Sequence, residues 1–340
     1  MFMFRRPASL IAAYWSRAIK STQRILLCAP ILIAGLSATP GITYAQEAAS
    51  LTTPTRSARL LGETVADRPS KYYRFETHAI DSADGKRHYR IQIAIPSTPA
   101  PAGGYATLYM LDGNAAIDTI VDQDLEWLSR RHPPVLVAIG YDIPTRNDVV
   151  SRAYDYTPPI MADGQIIAQQ PVVRGHVGGG ADIFLAFIES RIKPLVRSRA
   201  GVGDQEYLWG HSYGGLFALH TLLTQPDSFS RYVVGDPSAW WYKGALVREW
   251  DAFDKTRAAG KRVAILVGTK PRPDHRPAPS STPIRMSDGR LLDSHSALRE
   301  MAAGLLSHAA DASYETFSEQ GHGGMIRVSL ERALLIASEP

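Results

Sequence analysis

The segment Gly210–Gly214 reads Gly-His-Ser-Tyr-Gly, which is the spacing of a nucleophilic serine on a tight strand-to-helix turn. Glycines on both sides of such a serine let the strand and the helix approach without a side-chain clash. An apolar run, Tyr207–Trp209, precedes the segment, and leucines at helical spacing follow it. These flanks favour the turn, so we predict that Ser212 is a nucleophile for acyl transfer.

A serine hydroxyl is a weak nucleophile and needs a neighbouring base. In proteins with this turn, the histidine follows the last strand, near the end of the chain. His322 has that position within the run Gly321–Gly324. We therefore expect His322 to take the proton of Ser212. His211 is expected to pack beside the turn without reacting, and His220 is expected to be structural within the apolar helix.

An acid that orients the histidine is expected after the predicted strand Arg262–Gly268. Asp274 lies nearest the end of that strand and is our prediction for this role. Asp293 is the second choice, and Asp288 is a further candidate in the same stretch. Asp236, which follows an earlier strand, is a more distant alternative, and a serine–histidine pair without an acid is another.

Two backbone N–H groups are expected to stabilise the oxyanion that forms during acyl transfer. Tyr213 supplies the first, because it begins the helix after the nucleophile, where free amides and the helix dipole favour an anion. The second is expected in the turn after the strand Ala106–Leu111, from Gly113 or Asn114. A simple Asp-Gly turn without a catalytic role is the alternative.

The elements that must position these residues alternate between strands and helices after an initial hairpin. Strands are predicted at Tyr72–Ile80, Arg87–Ile95, Ala106–Leu111, Pro134–Gly140, Glu206–Gly210, Arg231–Gly235, Arg262–Gly268 and Ser313–Phe317, and helices at Ala181–Val196, Tyr213–Leu223 and Met325–Ser338. This order predicts a mostly parallel, doubly wound sheet with an N-terminal antiparallel hairpin, the α/β-hydrolase fold. Two long irregular stretches, Tyr141–Gly180 and Lys270–Leu292, interrupt the alternation and are expected to be functional or mobile.

The first 45 residues have the composition of a secretory signal. Five basic residues precede an apolar run at Ile25–Leu36, no acid occurs before Glu47, and Thr43–Ala45 supplies small residues for a cut after Ala45. The run is short for a membrane span, so we expect none in the mature protein, with an uncleaved anchor as the alternative. We therefore predict a signal peptide at 1–45, a flexible leader at 46–70 and a catalytic domain at 71–340, located in the periplasm.

The basic character of the chain belongs largely to this signal. The chain has 37 Lys and Arg against 33 Asp and Glu, and removal of the five basic signal residues leaves 32 against 33. This near-neutral balance does not support a nucleic-acid-binding surface. No metal-ligand cluster, phosphate-binding loop or dinucleotide motif occurs in the sequence, so we expect no cofactor and no metal. The oligomeric state is left open.

With these residues assembled, the chain resembles the trilactone siderophore esterases, especially the periplasmic IroE-type enzymes within the esterase D-like group. The resemblance rests on the segments Tyr109–Asn114, Arg152 with Asp155–Pro158, Gly179–Ala181, Gly210–Phe217, Asp236–Ser238 and Gly321–Gly323. It implies hydrolysis of the ester bonds of enterobactin-like triscatecholate trilactones, which weakens their hold on ferric iron. Some members of the group are described as having a serine–histidine pair alone.

An anionic, aromatic substrate of this kind needs a local basic patch on a near-neutral protein. The irregular stretch supplies Arg146, Arg152 and Arg174, and Trp240 and Trp241 follow the strand after the nucleophile helix. Arginine provides charge, forked hydrogen-bond donors and stacking on catechol rings. We predict that these five residues contact the substrate, Arg152 foremost because it lies in the family motif. Solvated arginines and core tryptophans are the alternative.

The leading hypothesis is thus a serine esterase that acts on a siderophore trilactone. A general carboxylesterase, or a feruloyl or acyl esterase of the same fold, is the alternative. A siderophore-binding protein on an inactive hydrolase scaffold would be a different class, and the intact serine turn and correctly ordered histidine argue against it.

Overall fold

The centre of the molecule is an eight-stranded sheet. It is seen in a computed structural model that describes residues 59–162, 165–272 and 277–340. The strands are β1 Tyr73–Asp81, β2 His88–Pro96, β3 Tyr105–Met110, β4 Val135–Tyr141, β5 Val202–His211, β6 Arg231–Gly235, β7 Arg262–Gly268 and β8 Asp311–Phe317. Their order across the sheet is β1-β2-β4-β3-β5-β6-β7-β8.

Strand direction divides the sheet into two parts. The β1–β2 and β2–β4 pairs are antiparallel. All pairs from β4 to β8 are parallel, so the strand ends that precede functional loops meet at one edge. A mostly parallel sheet that opens with an antiparallel hairpin is the predicted arrangement, and the α/β-hydrolase fold is confirmed.

Helices cover both faces of the sheet. They are α1 Gly113–Thr119, α2 Asp122–Ser129, α3 Ser151–Asp155, α4 Ala181–Phe187, α5 Lys193–Arg199, α6 Tyr213–Thr224, α7 Trp241–Ala252, α8 Ser294–Leu306 and α9 Met325–Ala337. A π-helical turn, Ile188–Ile192, joins α4 to α5 where the sequence predicted one continuous helix. Every residue of β4 is buried, as expected for a strand covered on both sides.

Two apolar cores lie on opposite faces of the sheet. Neighbouring residues of β5 illustrate the division, because Leu208 belongs to one core and Trp209 to the other. The core on the Leu208 side includes the apolar side chains of α6, in which every residue from Gly214 to Leu223 is buried. The nucleophile helix is therefore held rigidly between the sheet and the outer helices.

The two stretches predicted to be irregular contain short ribbons. The first holds α3 and two antiparallel ribbons, Met161–Ala162 with Gln165–Ile166 and Val172–Val173 with His176–Val177. The second ribbon, which we call the Arg174 ribbon, has Arg174 and Gly175 at its tip with φ of 54° and 81°. Positive φ at both central residues is typical of a tight two-residue hairpin turn.

Residues 59–70, expected to be part of a flexible leader, lie against the sheet domain. Leu60 forms a bridge with Thr145, the Leu61 N–H donates to the Pro144 carbonyl, and Val65 is 2% exposed. This part of the predicted leader is therefore held by backbone hydrogen bonds and apolar burial. The predicted signal at 1–45 and residues 46–58 lie outside the described residues.

Within the described ranges, no helix combines the length and the apolarity needed to cross a bilayer.

Candidate active site

Ser212 lies at the junction of β5 and α6 with φ 61° and ψ −116°, a conformation that residues other than glycine rarely adopt. Its N–H donates to the Gly235 carbonyl at 2.9 Å, which fixes the turn to the neighbouring strand. A Cβ on Gly210 would lie 2.2 Å from the carbonyl oxygen of Gly214, so only glycine fits there. The chain thus forms the strained turn that the sequence pattern predicts, with the serine at its apex.

His322 lies in the loop between β8 and α9, and its ring reaches the serine. Its Nε2 is 3.1 Å from Ser212 Oγ, although 110 positions separate the two residues. The side chain of His322 is 56% exposed, so the imidazole borders solvent on its other side. The structure therefore brings together the two residues that were expected to form the nucleophile and its base.

The carboxylate beside His322 belongs to Asp236, at the end of β6. Its Oδ2 lies 2.5 Å from His322 Nδ1. Asp236 has φ 42°, and its N–H donates to the Leu266 carbonyl of β7 at 2.7 Å. The turn after β6 therefore bends over β7, and this bend carries the carboxylate into the position predicted for an acid after β7.

Of the other carboxylates considered from the sequence, Asp288 and Asp293 lie elsewhere. Asp274 lies outside the described residues, and the place beside Nδ1 that we predicted for it is occupied by Asp236. Asp288 pairs with Arg290 in an exposed turn. Asp293 caps the first turn of α8 and accepts the Ser296 N–H. Among the candidate acids that the structure describes, the one beside His322 is thus Asp236, which the sequence ranked as the most distant alternative.

Asp236 is flanked by two imidazoles. His295 Nε2, at the start of α8, lies 3.7 Å from Asp236 Oδ1, on the side opposite His322. Burial by itself would raise the pKa of Asp236, but the interactions with His295 and His322 outweigh it and hold that pKa below its usual range. Asp236 is therefore ionised and able to stabilise a protonated His322.

His211 supports the loop that carries His322. Its Nε2 lies 2.8 Å from the His322 carbonyl oxygen. Burial, reinforced by the nearby His322, lowers the pKa of His211 to about 3, so the ring is neutral and its Nε2–H donates to that carbonyl. Ligand atoms of His211, Asp236 and His322 lie within 4.8 Å of one another, as in a small metal site. Hydrogen bonds within the loop and the catalytic pair already engage these groups.

The expected oxyanion donors begin two helices. Tyr213 is the first residue of α6, and amides in a first helical turn have no intrahelical acceptor. Gly113 and Asn114 are the first residues of α1. The Asn114 side chain is committed elsewhere, because its Nδ2 donates to the Tyr141 carbonyl at 3.0 Å and to the Thr145 carbonyl at 2.9 Å. Only its main-chain N–H is thus a candidate for catalysis.

Arg152 lies beside the nucleophile, but a carboxylate already holds it. Its Nε donates to Asp112 Oδ1 at 2.8 Å and its Nη2 to Asp112 Oδ2 at 2.7 Å. The guanidinium carbon lies 5.3 Å from the centre of the Tyr213 ring. Burial opposes the charge, yet Asp112 more than compensates and the pKa of Arg152 is raised. This forked ion pair therefore fastens α3 to the turn after β3.

Two of the five predicted substrate contacts are contradicted. Arg146 is 7% exposed, forms an ion pair with Asp118 of α1 and donates to Thr119 Oγ1 at 3.2 Å. Trp241 is 1% exposed and belongs to the core on the α6 side. Both predictions are wrong because the side chains are buried in structural contacts.

Besides Arg152, the remaining two predicted contacts are Arg174 and Trp240, which lie at the surface near Ser212. The guanidinium carbon of Arg174 is 4.3 Å from the centre of the Trp240 ring. The Trp240 ring in turn is 6.1 Å from the ring of Tyr213, the residue after the nucleophile. Both rings are partly exposed.

Sequence reasoning undervalued or missed several groups near the site. The Ser238 hydroxyl lies 3.4 Å from Ser212 Oγ, and Asp112 was not recognised as the partner of Arg152. A signal was present for both: Asp112 lies in the segment Tyr109–Asn114, and Ser238 follows Asp236 in another segment on which the family resemblance rests. His295 has no comparable signal, because its role depends on where α8 begins.

A serine at the β5–α6 turn and a histidine after β8, on this sheet, define a serine hydrolase of the α/β-hydrolase fold. The chain belongs to the Esterase family, whose model matches residues 82–320. The predicted family resemblance is thus confirmed.

Within this family, the chain is similar to several proteins that are named as siderophore esterases. The chain is 37% identical to the apo-salmochelin esterase of Escherichia coli O6:H1 over 278 residues, which is 82% of this chain and 83% of that protein. It is 31% identical to the ferri-bacillibactin esterase BesA of Bacillus subtilis over 274 residues, which is 78% of this chain and 90% of that protein. Its structure is similar to that of the enterobactin hydrolase IroE in complex with DFP, with a TM-score of 0.66, 34% identity and coverage of 81% of this chain and 99% of that one.

Proposed function

We propose that this esterase hydrolyses the ester bonds of a catecholate siderophore trilactone, with Ser212 as nucleophile, His322 as general base and Asp236 as the orienting acid. The observation that carries the proposal is the continuous contact from Ser212 Oγ to His322 Nε2 and from His322 Nδ1 to Asp236 Oδ2. The substrate class is supported by the siderophore esterases to which the chain is similar.

The first chemical step follows from this contact. Ser212 Oγ donates its hydrogen bond to His322 Nε2 at 3.1 Å, so its proton passes to the imidazole as the oxygen attacks the ester carbonyl. The Nδ1–H donates to Asp236, whose negative charge stabilises the imidazolium and fixes the ring. The protonated His322 then gives its proton to the departing alkoxide, and an acyl-serine remains.

Water completes the reaction by attacking the acyl-serine while His322 again acts as the base. The negative oxygen in both steps is stabilised by the Tyr213 N–H at the start of α6, with a second N–H from Gly113 or Asn114. Hydrolysis adds one water per ester and opens the trilactone to a linear product. The charged groups of the protein return to their starting states.

The experiment that tests this function compares the wild type with Ser212→Ala. Each is incubated with iron-free and ferric enterobactin, and the products are separated by mass spectrometry. The wild type is expected to give the linear trimer, which is one water heavier than the trilactone, and shorter serine-containing products whose masses add up to the trilactone plus one water per bond cleaved. Ser212→Ala is expected to give none of them. Turnover by Ser212→Ala would exclude this nucleophile. Hydrolysis of simple aryl esters by the wild type, without attack on enterobactin, would exclude the substrate.

We also propose that the enzyme acts in the periplasm. The support is the composition of residues 1–45: basic residues, then an apolar run, then small residues before Glu47. Release by osmotic shock of a protein whose N-terminal residue is Gln46 is the expected result. Retention in the cytoplasmic fraction with residues 1–45 attached would contradict the proposal.

A further inference from the structure

Arg174 differs from Arg146 and Arg152 because its positive charge is not paired with a carboxylate of the described residues. Its guanidinium is exposed at the tip of the Arg174 ribbon and lies over the Trp240 ring at 4.3 Å. Among the residues that the structure describes, no carboxylate lies within ion-pair distance of it. Arg152 is held by Asp112 and Arg146 by Asp118, so the charge of each is already compensated. Of these three arginines, Arg174 is therefore the one whose charge is available to an incoming anion.

The aromatic surface below Arg174 leads to the nucleophile. Trp240 lies 6.1 Å from Tyr213, and Tyr213 is joined directly to Ser212. Burial raises the pKa of the Tyr213 phenol, and the positive charges of Arg174 and Arg152 oppose that rise. The guanidinium carbon of Arg152 lies 5.3 Å from the centre of the same ring. The surface thus has two neighbouring aromatic rings, Trp240 and Tyr213, with a cation at each end, Arg174 over Trp240 and Arg152 over Tyr213.

The backbone holds Arg174 in this place. An arginine with φ of 54° pays a conformational cost that glycine would avoid, and the following Gly175 completes the tight turn. The base of the Arg174 ribbon is fixed by the Gly179 N–H, which donates to Thr157 Oγ1 at 2.9 Å just after α3. The guanidinium is thus presented by a short, anchored hairpin.

We propose that Arg174 and Trp240 form the subsite for an aromatic ring that carries acidic hydroxyl groups, attached to the acyl part of the ester. The ring packs on Trp240 and its negative oxygens accept hydrogen bonds from Arg174, while Arg152 supports the site without binding the ring. A guanidinium suits this role because it both stacks on flat rings and donates in a fork. The proposal rests on the proposed function and names the part of the substrate that is recognised.

Three serine methyl esters separate the contribution of the ring from that of its hydroxyl groups. They differ only in the N-acyl group, which is 2,3-dihydroxybenzoyl, benzoyl or acetyl. The quantity measured is kcat/KM for each ester, expressed relative to the acetyl compound. Arg174→Gln is expected to lower the relative value of the dihydroxybenzoyl ester by about tenfold or more, because a charge-assisted hydrogen bond is lost. It should affect the benzoyl ester less. Trp240→Leu is expected to lower the relative kcat/KM of both aromatic esters. Arg174→Lys should retain part of the activity that Arg174→Gln loses.

Arg131→Gln is the matched control. Arg131 is also exposed and also lies over a tryptophan, 4.2 Å from the centre of the Trp127 ring, but it follows α2 and has no contact with the site. The Arg131→Gln substitution should leave kcat/KM unchanged for all three esters. Equal loss on all three esters in Arg174→Gln, or no loss on any, would overturn the subsite.

The subsite and the proposed function fail in different ways. If the wild type opens enterobactin but Arg174→Gln does so at the same rate, only the subsite is wrong. If the wild type cleaves the acetyl ester and leaves enterobactin intact, the proposed function is wrong. A smaller effect of Arg174→Gln at high ionic strength would further support a charge contact, because salt screens an exposed cation.

Discussion

Asp236 Oδ2 lies 2.5 Å from His322 Nδ1, although 86 positions separate the two residues in the chain. The carboxylate comes from the end of β6, the strand next to the one that carries Ser212. The same aspartate also faces His295 on its other oxygen. The orienting group of the histidine is thus built from the strand adjacent to the nucleophile.

Replacement of Asp236 by Asn should lower kcat by about 10²- to 10⁴-fold, because the neutral amide no longer stabilises the imidazolium or selects its tautomer. Hydrolysis of p-nitrophenyl butyrate measures the loss. Asp274→Asn, which removes the acid first predicted from the sequence, should retain nearly full activity. The reverse result, a large loss only in Asp274→Asn, would show that Asp236 is not the acid.

His220 links α6 to two outer helices, and its replacement should destabilise the fold. Its ring is fully buried, with Nε2 2.9 Å from Asp182 and Nδ1 2.9 Å from Glu249. Burial would lower the pKa of His220, but the two carboxylates prevail and raise it to about 9. A cation that bridges two acids in this way stabilises the native state while it stays protonated.

The sign of the pH effect follows from that raised pKa. The stabilisation by His220 is fully present below the unfolded pKa of about 6.5 and is lost as the pH rises through about 9. His220→Gln should therefore be less stable than the wild type by about 2–4 kcal/mol at pH 6, and the gap should shrink between pH 6.5 and 9. Urea unfolding at several pH values measures it. A gap that stays constant with pH would contradict a charged His220.

Gly210→Ala should distort the serine turn. The added methyl group would lie 2.2 Å from the Gly214 carbonyl oxygen, and the next nearest atoms, Gly214 C and Gly215 N, are also backbone and cannot move aside easily. We expect a loss of stability of about 1–3 kcal/mol and a larger loss of activity, because Ser212 is displaced from His322. Labelling of Ser212 by a fluorophosphonate reports the second effect. Gly103→Ala is the control, since its Cβ would meet nothing within 4 Å.

Arg152→Gln should destabilise the enzyme and reduce its activity on every ester alike. The change leaves the buried carboxylate of Asp112 without its forked partner, which typically costs about 3–5 kcal/mol. Arg152→Gln combined with Asp112→Asn should recover much of that loss in urea unfolding. Arg290→Gln breaks exposed ion pairs with Asp288 and Glu300 and should change the stability little. A selective loss on aromatic esters in Arg152→Gln would instead make Arg152 a substrate contact.

Much of the fold follows from local patterns in the sequence. The strands Arg231–Gly235 and Arg262–Gly268 have the predicted bounds, because each is an apolar run flanked by polar residues. The helices α1, α2, α3, α7 and α8 were not predicted. The five residues of α3 are too few for a periodic pattern, and α7 begins with a left-handed turn at Tyr242–Gly244 that breaks its period.

The contact between Ser212 and His322 could be anticipated because the order of the two residues and their glycine-rich surroundings are encoded locally. The acid could not, because β6 and β7 end at the same edge of the sheet and either loop can reach the histidine. The hydrogen bond from the Asp236 N–H to Leu266 decides between them, and it exists only in the folded sheet. The buried states of Arg146 and Trp241 likewise depend on tertiary packing that spacing does not reveal.

The placement of Asp236 on β6 has an evolutionary consequence. Both partners of His322 precede β7, so proton transfer needs no side chain from the exposed turn at Asp288–Arg290, which follows β7. This turn should therefore tolerate changes of sequence and length, and a reporter peptide grafted into it should leave turnover intact.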